Sequence, residues 1–496
     1  MKRYTLHPTP HTLHPVLYTL TLLFMVAFLS GCGSQYLAER LFWQAQQVTK
    51  KITQGSALDK LSNEDYQKII DAFGKVSEKY PLAMTAAQSQ FIVAQLYVMR
   101  NDFSEAEKEL IKVTRNFSGA PEIASRAQFL IGNIYERQGK WEAAVSEYEK
   151  LIDLYPLSRL GLKMPIYIAQ HYQLSKDASE AEKAYTKAVR GYEGLIGDYF
   201  GTSIAPVVMD HLALAYLSQG KWDEAIEVWQ EITTKYSQSP LAEKSMLASG
   251  EIYSRQIRDL QKAIQTYEEF VNQYPRSQLI KQVRLQIGKL YFTNGDTEKA
   301  KQIFEQIISD YPQEKGLCAD ARFSLAACYE READSQNAIE QYNKLKNNYP
   351  DTRLALAVPF FIARHYLITQ PDKAEAAFSK AIYEYKDIIE SNASIPIKME
   401  AGKLINFCYA QQKKWDEAIV SLYELIAKYP DNPQAQMFLF DIGNIYEREL
   451  NEPEKASAIY KELISKYPSN HFLINLARMR LESLQANLSK DQNIEN

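Results

Sequence analysis

Phe129-Leu130-Ile131-Gly132-Asn133-Ile134-Tyr135-Glu136-Arg137-Gln138-Gly139-Lys140-Trp141-Glu142-Ala143-Ala144, continuing to Tyr148, Leu151, Ile152 and Tyr155-Pro156, decides the fold. Apolar residues fall at helical spacing on both sides of Gly139-Lys140, which predicts a helix, a tight turn and a second helix. Gly132 and Ala144 are small where two helices must cross closely, and Tyr135 and Tyr148 fill the space between them. Pro156 ends the second helix, because a proline in a helix interior costs roughly 3 kcal/mol. Ser158, two residues on, stands where a cap for the next helix belongs.

The ending of this unit recurs along the chain. Tyr80-Pro81, Phe117-Ser118, Tyr155-Pro156, Tyr236-Ser237, Tyr274-Pro275, Tyr311-Pro312, Tyr349-Pro350, Tyr429-Pro430 and Tyr467-Pro468 follow one another at thirty-seven or thirty-eight residues. Two intervals, after Pro156 and after Pro350, are close to double and each hides one more unit. A fixed period of this size means a stack of similar supersecondary units, each touching its neighbours, and not a globular domain. The internal pattern recurs as well, at Ala94/Tyr97/Ala106/Leu110, Ala213/Tyr216/Gly220/Ala225/Trp229 and Gly250/Tyr253/Ala263/Tyr267. It returns at Gly288/Tyr291/Gly295/Ala300/Phe304, Ala326/Tyr329/Ala338/Tyr342 and Gly443/Tyr446/Ala456/Tyr460, with weaker units centred on Tyr172, Tyr366 and Tyr409.

These positions resemble the tetratricopeptide repeat, which is small at its position 8, aromatic at 11, Gly at 15, Ala at 20, aromatic at 24 and Pro at 32. The resemblance implies an all-α fold, a right-handed α-solenoid superhelix of about eleven helical hairpins from residue 37 to 468. A final amphipathic helix at about 470–487 is expected to cap it, with a frayed polar tail over Asp491–Asn496.

A longer repeat lies over the short one. Arg159-Leu160, Pro165 and His171-Tyr172 recur as Arg353-Leu354, Pro359 and His365-Tyr366, an offset of 194. Trp222-Asp223-Glu224-Ala225-Ile226 recurs as Trp415-Asp416-Glu417-Ala418-Ile419, an offset of 193. Residues 83–275 and 277–468 therefore read as two five-repeat blocks, preceded by an anchor region and leading hairpin over 32–82 and followed by the cap and tail over 469–496. Cys318 aligns with Ala124, Cys328 with Ile134 and Cys408 with Ala215, so these cysteines are expected as reduced core residues. His171 and His365 align with each other inside a helix, where packing or a local hydrogen bond is the expected role.

The N-terminus reads as a targeting segment. Lys2 and Arg3 precede a mostly apolar run from Val16 to Leu29, long enough for a signal peptide and short for a membrane span. Leu29-Ser30-Gly31-Cys32 then resembles the lipobox of bacterial lipoproteins. That resemblance implies removal of residues 1–31 as a lipoprotein signal peptide and lipidation at Cys32 with diacylglyceryl and N-acyl chains such as palmitate. Two or more acyl chains make a lasting membrane anchor. Gly33, in place of the Asp that retains relatives at the inner membrane, resembles an outer-membrane sorting signal, implying a site facing the periplasm.

Charged residues make up 24% of the chain with both signs mixed and a net charge of −4, and no basic block appears, which argues against nucleic-acid binding. No glycine-rich phosphate loop, His-Glu-x-x-His, Cys-x-x-Cys or nucleophile elbow is present. The hairpins also use up the span a catalytic domain would need. No enzyme activity, catalytic residue, metal, cofactor or small-molecule substrate is expected, and an enzyme like the superhelical lytic transglycosylases is the remote alternative.

In the tetratricopeptide family, partners are held in a concave groove lined by the first helix of each hairpin. The resemblance carries this to Asn133, Glu136 and Arg137, to Glu251 and Arg255, to Lys289 and Phe292, to Glu330 and Arg331, and to Asn444, Glu447 and Arg448. The recurring Glu-Arg pair would make a polar groove of alternating charge for envelope proteins or peptides. It would equally be a solvated face with pairing at i,i+4. Phe129 occupies the position where a carboxylate clamp needs Lys. With its lipobox and Tyr-Pro endings the chain resembles outer-membrane barrel-assembly lipoproteins (BamD type) and the periplasmic Tol-Pal-associated coordinator of cell-wall synthesis. The BamD family is about half as long. The expected function is a membrane-anchored scaffold for protein–protein interaction in the envelope, in outer-membrane protein assembly or, alternatively, in cell-wall synthesis or polysaccharide export.

Overall fold

The computed structural model describes residues 15–54 and 61–494, with side chains described from Ser34 to Gln485. The start of the expected leader, the Cys32 side chain and the end of the polar tail lie outside that description. Among the described residues all regular structure is helical, arranged as eleven hairpins and a closing helix. The chain divides into two compact units, Met1–Ser249 and Gly250–Asn496. The first holds hairpins 1 to 5, at 15–79, 84–116, 121–154, 159–198 and 205–235. Hairpin 6, 240–273, contains the division. The second unit continues with hairpins 7 to 11, at 280–310, 315–348, 353–390, 395–428 and 433–466. Its closing helix, His471–Ile494, runs past the expected end near residue 487.

In hairpins 3, 6, 7 and 11 a glycine of the first helix meets an aromatic ring of the second, and in hairpin 10 Gly402 meets Leu425 instead. A Cβ on Gly132 would lie 2.3 Å from the Tyr148 ring, and one on Gly443 would lie 2.5 Å from Tyr460. Tyr148, Tyr342 and Tyr460 are fully buried, so the aromatic ring forms the centre of the joint. Gly139, at φ 71°, turns the chain between the two helices of hairpin 3. Ser158 caps the next helix, its hydroxyl accepting from the Gly161 amide at 3.0 Å.

Two local departures recur. From Tyr135 to Trp141 the turn is six residues, whereas Tyr253 to Leu260 and Tyr446 to Pro453 take seven. The extra residue is absorbed by a π turn in each case, Tyr253–Ile257 and Ile445–Glu449. Pro165 and Pro359 lie inside the helices Arg159–Leu174 and Arg353–Thr369. A proline removes one amide donor and pushes away the carbonyl one turn back, so the ladder opens. Each opening meets a tyrosine from the long second helix of its hairpin. Tyr192 donates to the Leu162 carbonyl, and Tyr385 accepts from the Phe360 amide at 3.1 Å.

Cys318, Cys328 and Cys408 are free and buried, as the alignment with Ala124, Ile134 and Ala215 predicts. Burial pushes the thiols of Cys328 and Cys408 up to about 12. Among the described residues no helix is long and apolar enough to cross a membrane.

Candidate functional site

The residues singled out in the first helices do not behave as pairs. The structure splits the Glu-Arg motif, sending the acid inward and leaving the base in solvent. Glu136 accepts hydrogen bonds from Tyr148 of its own hairpin at 2.8 Å and from Tyr167 of the next at 2.8 and 2.9 Å. Burial and then the bond to Glu136 push the Tyr167 hydroxyl up to about 12, and the Tyr148 hydroxyl is raised for the same two reasons. Glu330 lies 3.0 Å from Nδ1 of the buried His365. Glu447 accepts from Tyr460 at 2.8 Å, with Asn444 a second acceptor for that hydroxyl at 3.1 Å, and is gripped by Arg480 of the closing helix.

The three glutamates thus tie one hairpin to the next, so their carboxylates are already engaged within the chain. A carboxylate drawn into such a joint needs donors to offset its desolvation, and each has them. Arg137, Arg331 and Arg448 remain exposed. Glu251 and Arg255 behave as the bland reading holds, an exposed i,i+4 pair at 3.3 Å worth tenths of a kcal/mol. Asn133 is half-buried beside Glu136, and Lys289 is exposed one turn before Phe292.

Arg331 joins two hairpins on the outer side of this seam. Its guanidinium carbon is 3.6 Å from the centroid of the Phe292 ring, and it donates to the Phe292 carbonyl. A cation held over an aromatic face keeps unused donors for a partner.

The aligned histidines take different roles. His171 stacks on Trp141 with centroids 3.3 Å apart and planes at 10°, whereas His365 reaches Glu330. Ser335 stands where alignment would place a second Trp141, and Phe361 where it would place a second Tyr167. Without the indole to stack on and without that phenol, the second histidine becomes the donor-side partner of its glutamate.

Sequence reasoning passed over Tyr167 and Arg480, 31 and 33 residues after their glutamates, and it expected packing or a local hydrogen bond for His365, whose bond instead reaches 35 residues back to the preceding hairpin. It also passed over a second feature of these first helices. Val207, Leu214 and Phe407 are apolar and exposed at 38%, 36% and 40%. Leu214 and Phe407 are aligned partners at the offset of 193, and Phe407 has Lys403 over its ring at 5.5 Å. The signal was available, since Ala205–Ser218 is apolar nearly all round, more than one buried face requires. Among the described residues no group of three or more His, Cys, Asp or Glu is placed to hold a metal.

A tetratricopeptide-repeat family model matches residues 94–159 and 212–277, and a second such model matches 320–352, 407–432 and 438–470. A model described as outer membrane lipoprotein matches residues 253–319. No curated protein matches the chain. Among solved structures, yeast Tom70 is 12% identical over 92% of this chain and 96% of its own, with a TM-score of 0.38. Naa15/Naa10 bound to HypK-THB is 13% identical over 90% of this chain and 67% of its own, at 0.37. A tetratricopeptide repeat protein from Parabacteroides merdae is 16% identical over 56% and 98%, at 0.31. Five segments of the chain thus match tetratricopeptide-repeat models, a kind of repeat that makes protein-binding scaffolds.

Proposed function

We propose that this chain is a non-enzymatic scaffold lipoprotein of the bacterial cell envelope. Lipid at Cys32 holds it to a membrane, and exposed first-helix side chains capture envelope proteins. The observation that carries the binding role is the split Glu-Arg motif: the acid is consumed in the joint, so Arg137, Arg331 and Arg448 are left as recurrent exposed cations. Such cations steer and orient a partner more than they supply affinity. Leu214 and Phe407 add apolar anchors on other first helices.

The match of 253–319 to an outer membrane lipoprotein model and the lipobox Leu29-Ser30-Gly31-Cys32 support an outer-membrane site, and barrel assembly is the role we favour within it. In-cell crosslinking from the arginine positions identifies the partner. Barrel components support the assembly role, and cell-wall or polysaccharide-export proteins replace it with the alternative. Charge reversal at Arg137, Arg331 and Arg448 should weaken capture by about tenfold with helicity intact. Unchanged capture would remove these residues from the binding face. Replacing Cys32 with Ala should release the protein from membranes and block palmitate labelling, and retained labelling defeats the anchor.

A further inference from the structure

The first unit contains an apolar cleft of about 500 Å³ between the second helices of hairpins 3 and 4, Trp141–Leu154 and Ala178–Asp198, floored by Arg159–Leu174. No residue of Pro121–Arg137 lines it, so it is separate from the exposed arginine of that hairpin. Scaled from a 150 Å³ cavity that accepts benzene, it would hold about 20 non-hydrogen atoms, or two to three large apolar side chains.

The internal repeat supplies a control for this cleft. Ile152 and Gly191 line it from opposite helices, and a Cβ on Gly191 would meet nothing within 4 Å. At the aligned positions in the second unit stand Lys346 and Glu384, and their side chains form an ion pair at 2.7 Å. Gly161, a third lining residue, aligns with Ala355. One copy therefore has an ion pair where the other has open apolar space.

Chemistry at the rim limits the occupant. Lys187 is paired with Glu149 at 2.5 Å and Lys183 with Glu180 at 2.7 Å. Asp153 is exposed at the rim and makes no ion pair among the described residues. Both cations are already neutralised, so the unmatched charge is negative, which disfavours the carboxylate or phosphate head of a lipid. The walls are helices whose backbone groups are already bonded, so an extended peptide would find no backbone partners there. An amphipathic helix brings its own bonded backbone.

We infer that this cleft is a second binding site of the first unit, taking an amphipathic helix of a partner protein whose apolar side chains enter the cleft and whose basic flank meets Asp153. The inference does not rest on the membrane anchor or on the arginines. The test uses the full chain in lipid nanodiscs and three fluorescent probes. These are a helical peptide of about 16 residues with Leu at i, i+3, i+4 and i+7 and a Lys flank, the same peptide with a Glu flank, and a palmitate analogue. The Lys-flanked peptide should bind at least about fivefold tighter than its Glu-flanked twin. The double substitution Ile152→Lys, Gly191→Glu, which installs the second unit's pair, should weaken it at least about tenfold at an unchanged melting temperature. Asp153→Asn should erase the flank preference in a folded protein, and Arg137→Glu should leave peptide affinity unchanged. Equal affinity for both peptides, no binding of either, indifference to the double substitution, or palmitate displacing the peptide would each overturn the assignment.

Discussion

Arg480 holds both carboxylate oxygens of Glu447, with Nε 3.1 Å from Oε2 and Nη2 2.7 Å from Oε1. This fork joins the closing helix to hairpin 11 in the way Tyr167 joins hairpin 4 to hairpin 3 and His365 joins hairpin 9 to hairpin 8. The acid is constant and its partner changes. Planar bidentate geometry lets the arginine clamp both oxygens of the carboxylate through two parallel bonds.

Arg480→Ala should therefore loosen His471–Ile494 by about 2 kcal/mol, because it leaves a partly buried carboxylate with only a phenol. Hydrogen exchange in that helix should speed up while hairpins 1 to 5 keep their protection. Adding Glu447→Gln should recover part of the loss. An unchanged exchange rate in the closing helix would mean that apolar packing alone seats it.

The glycines separate into two kinds that substitution tells apart. Gly132→Ala places a methyl 2.3 Å from the ring of Tyr148, which is fully buried and cannot swing away, so about 2–3 kcal/mol should be lost in hairpin 3. Gly194→Ala meets nothing within 4 Å and should gain up to about 1 kcal/mol from helix propensity. Repeat arrays need not unfold in one step, so exchange measured helix by helix is the better readout. Equal effects at the two positions would show that the close approach does not set the hairpin geometry.

The thiols should be inert in the native state. Burial holds Cys328 and Cys408 near 12, and Cys318 donates to the Tyr311 carbonyl at 3.1 Å. In a Cys32→Ala background a thiol reagent at pH 8 should label none of the three until denaturant is added. Rapid native labelling at any one would place that cysteine in an opening segment.

Much of this architecture is legible in the sequence, because the hairpin is a local object. Gly132 and Tyr148 lie sixteen residues apart in one unit, and their sizes alone say that the helices cross there. The one-residue insertions after Tyr253 and Tyr446 were visible too, although nothing local says that a π turn absorbs them. What single-unit reading cannot show is direction. Glu136 and Arg137 are adjacent, and the acid is held inward by Tyr148 of its own hairpin together with Tyr167 of the next, which no single unit contains. The same limit hides the cleft, since Gly191 gains meaning only beside Ile152 and against the Lys346–Glu384 pair.

Asp441 gives hairpin 11 a pH dependence of unusual sign. Burial raises its carboxyl to about 6, against a smaller opposing pull from Lys403. Between the ordinary aspartate value of 3.8 and about 6 the folded state keeps a proton that the unfolded chain has released. Raising the pH through that window therefore weakens folding, and above it the full penalty is present. The penalty is no more than about 2 kcal/mol once solvent around a partly exposed side chain is allowed for. Asp441→Asn should remove it, so the variant's advantage in exchange protection over 433–466 should grow from pH 4 to pH 7 and then level off. A loss of protection at pH 7 would show that Asp441 is stabilised as its anion and that Lys403 outweighs burial, and an advantage already complete at pH 4 would show that its ionisation does not set the stability of hairpin 11.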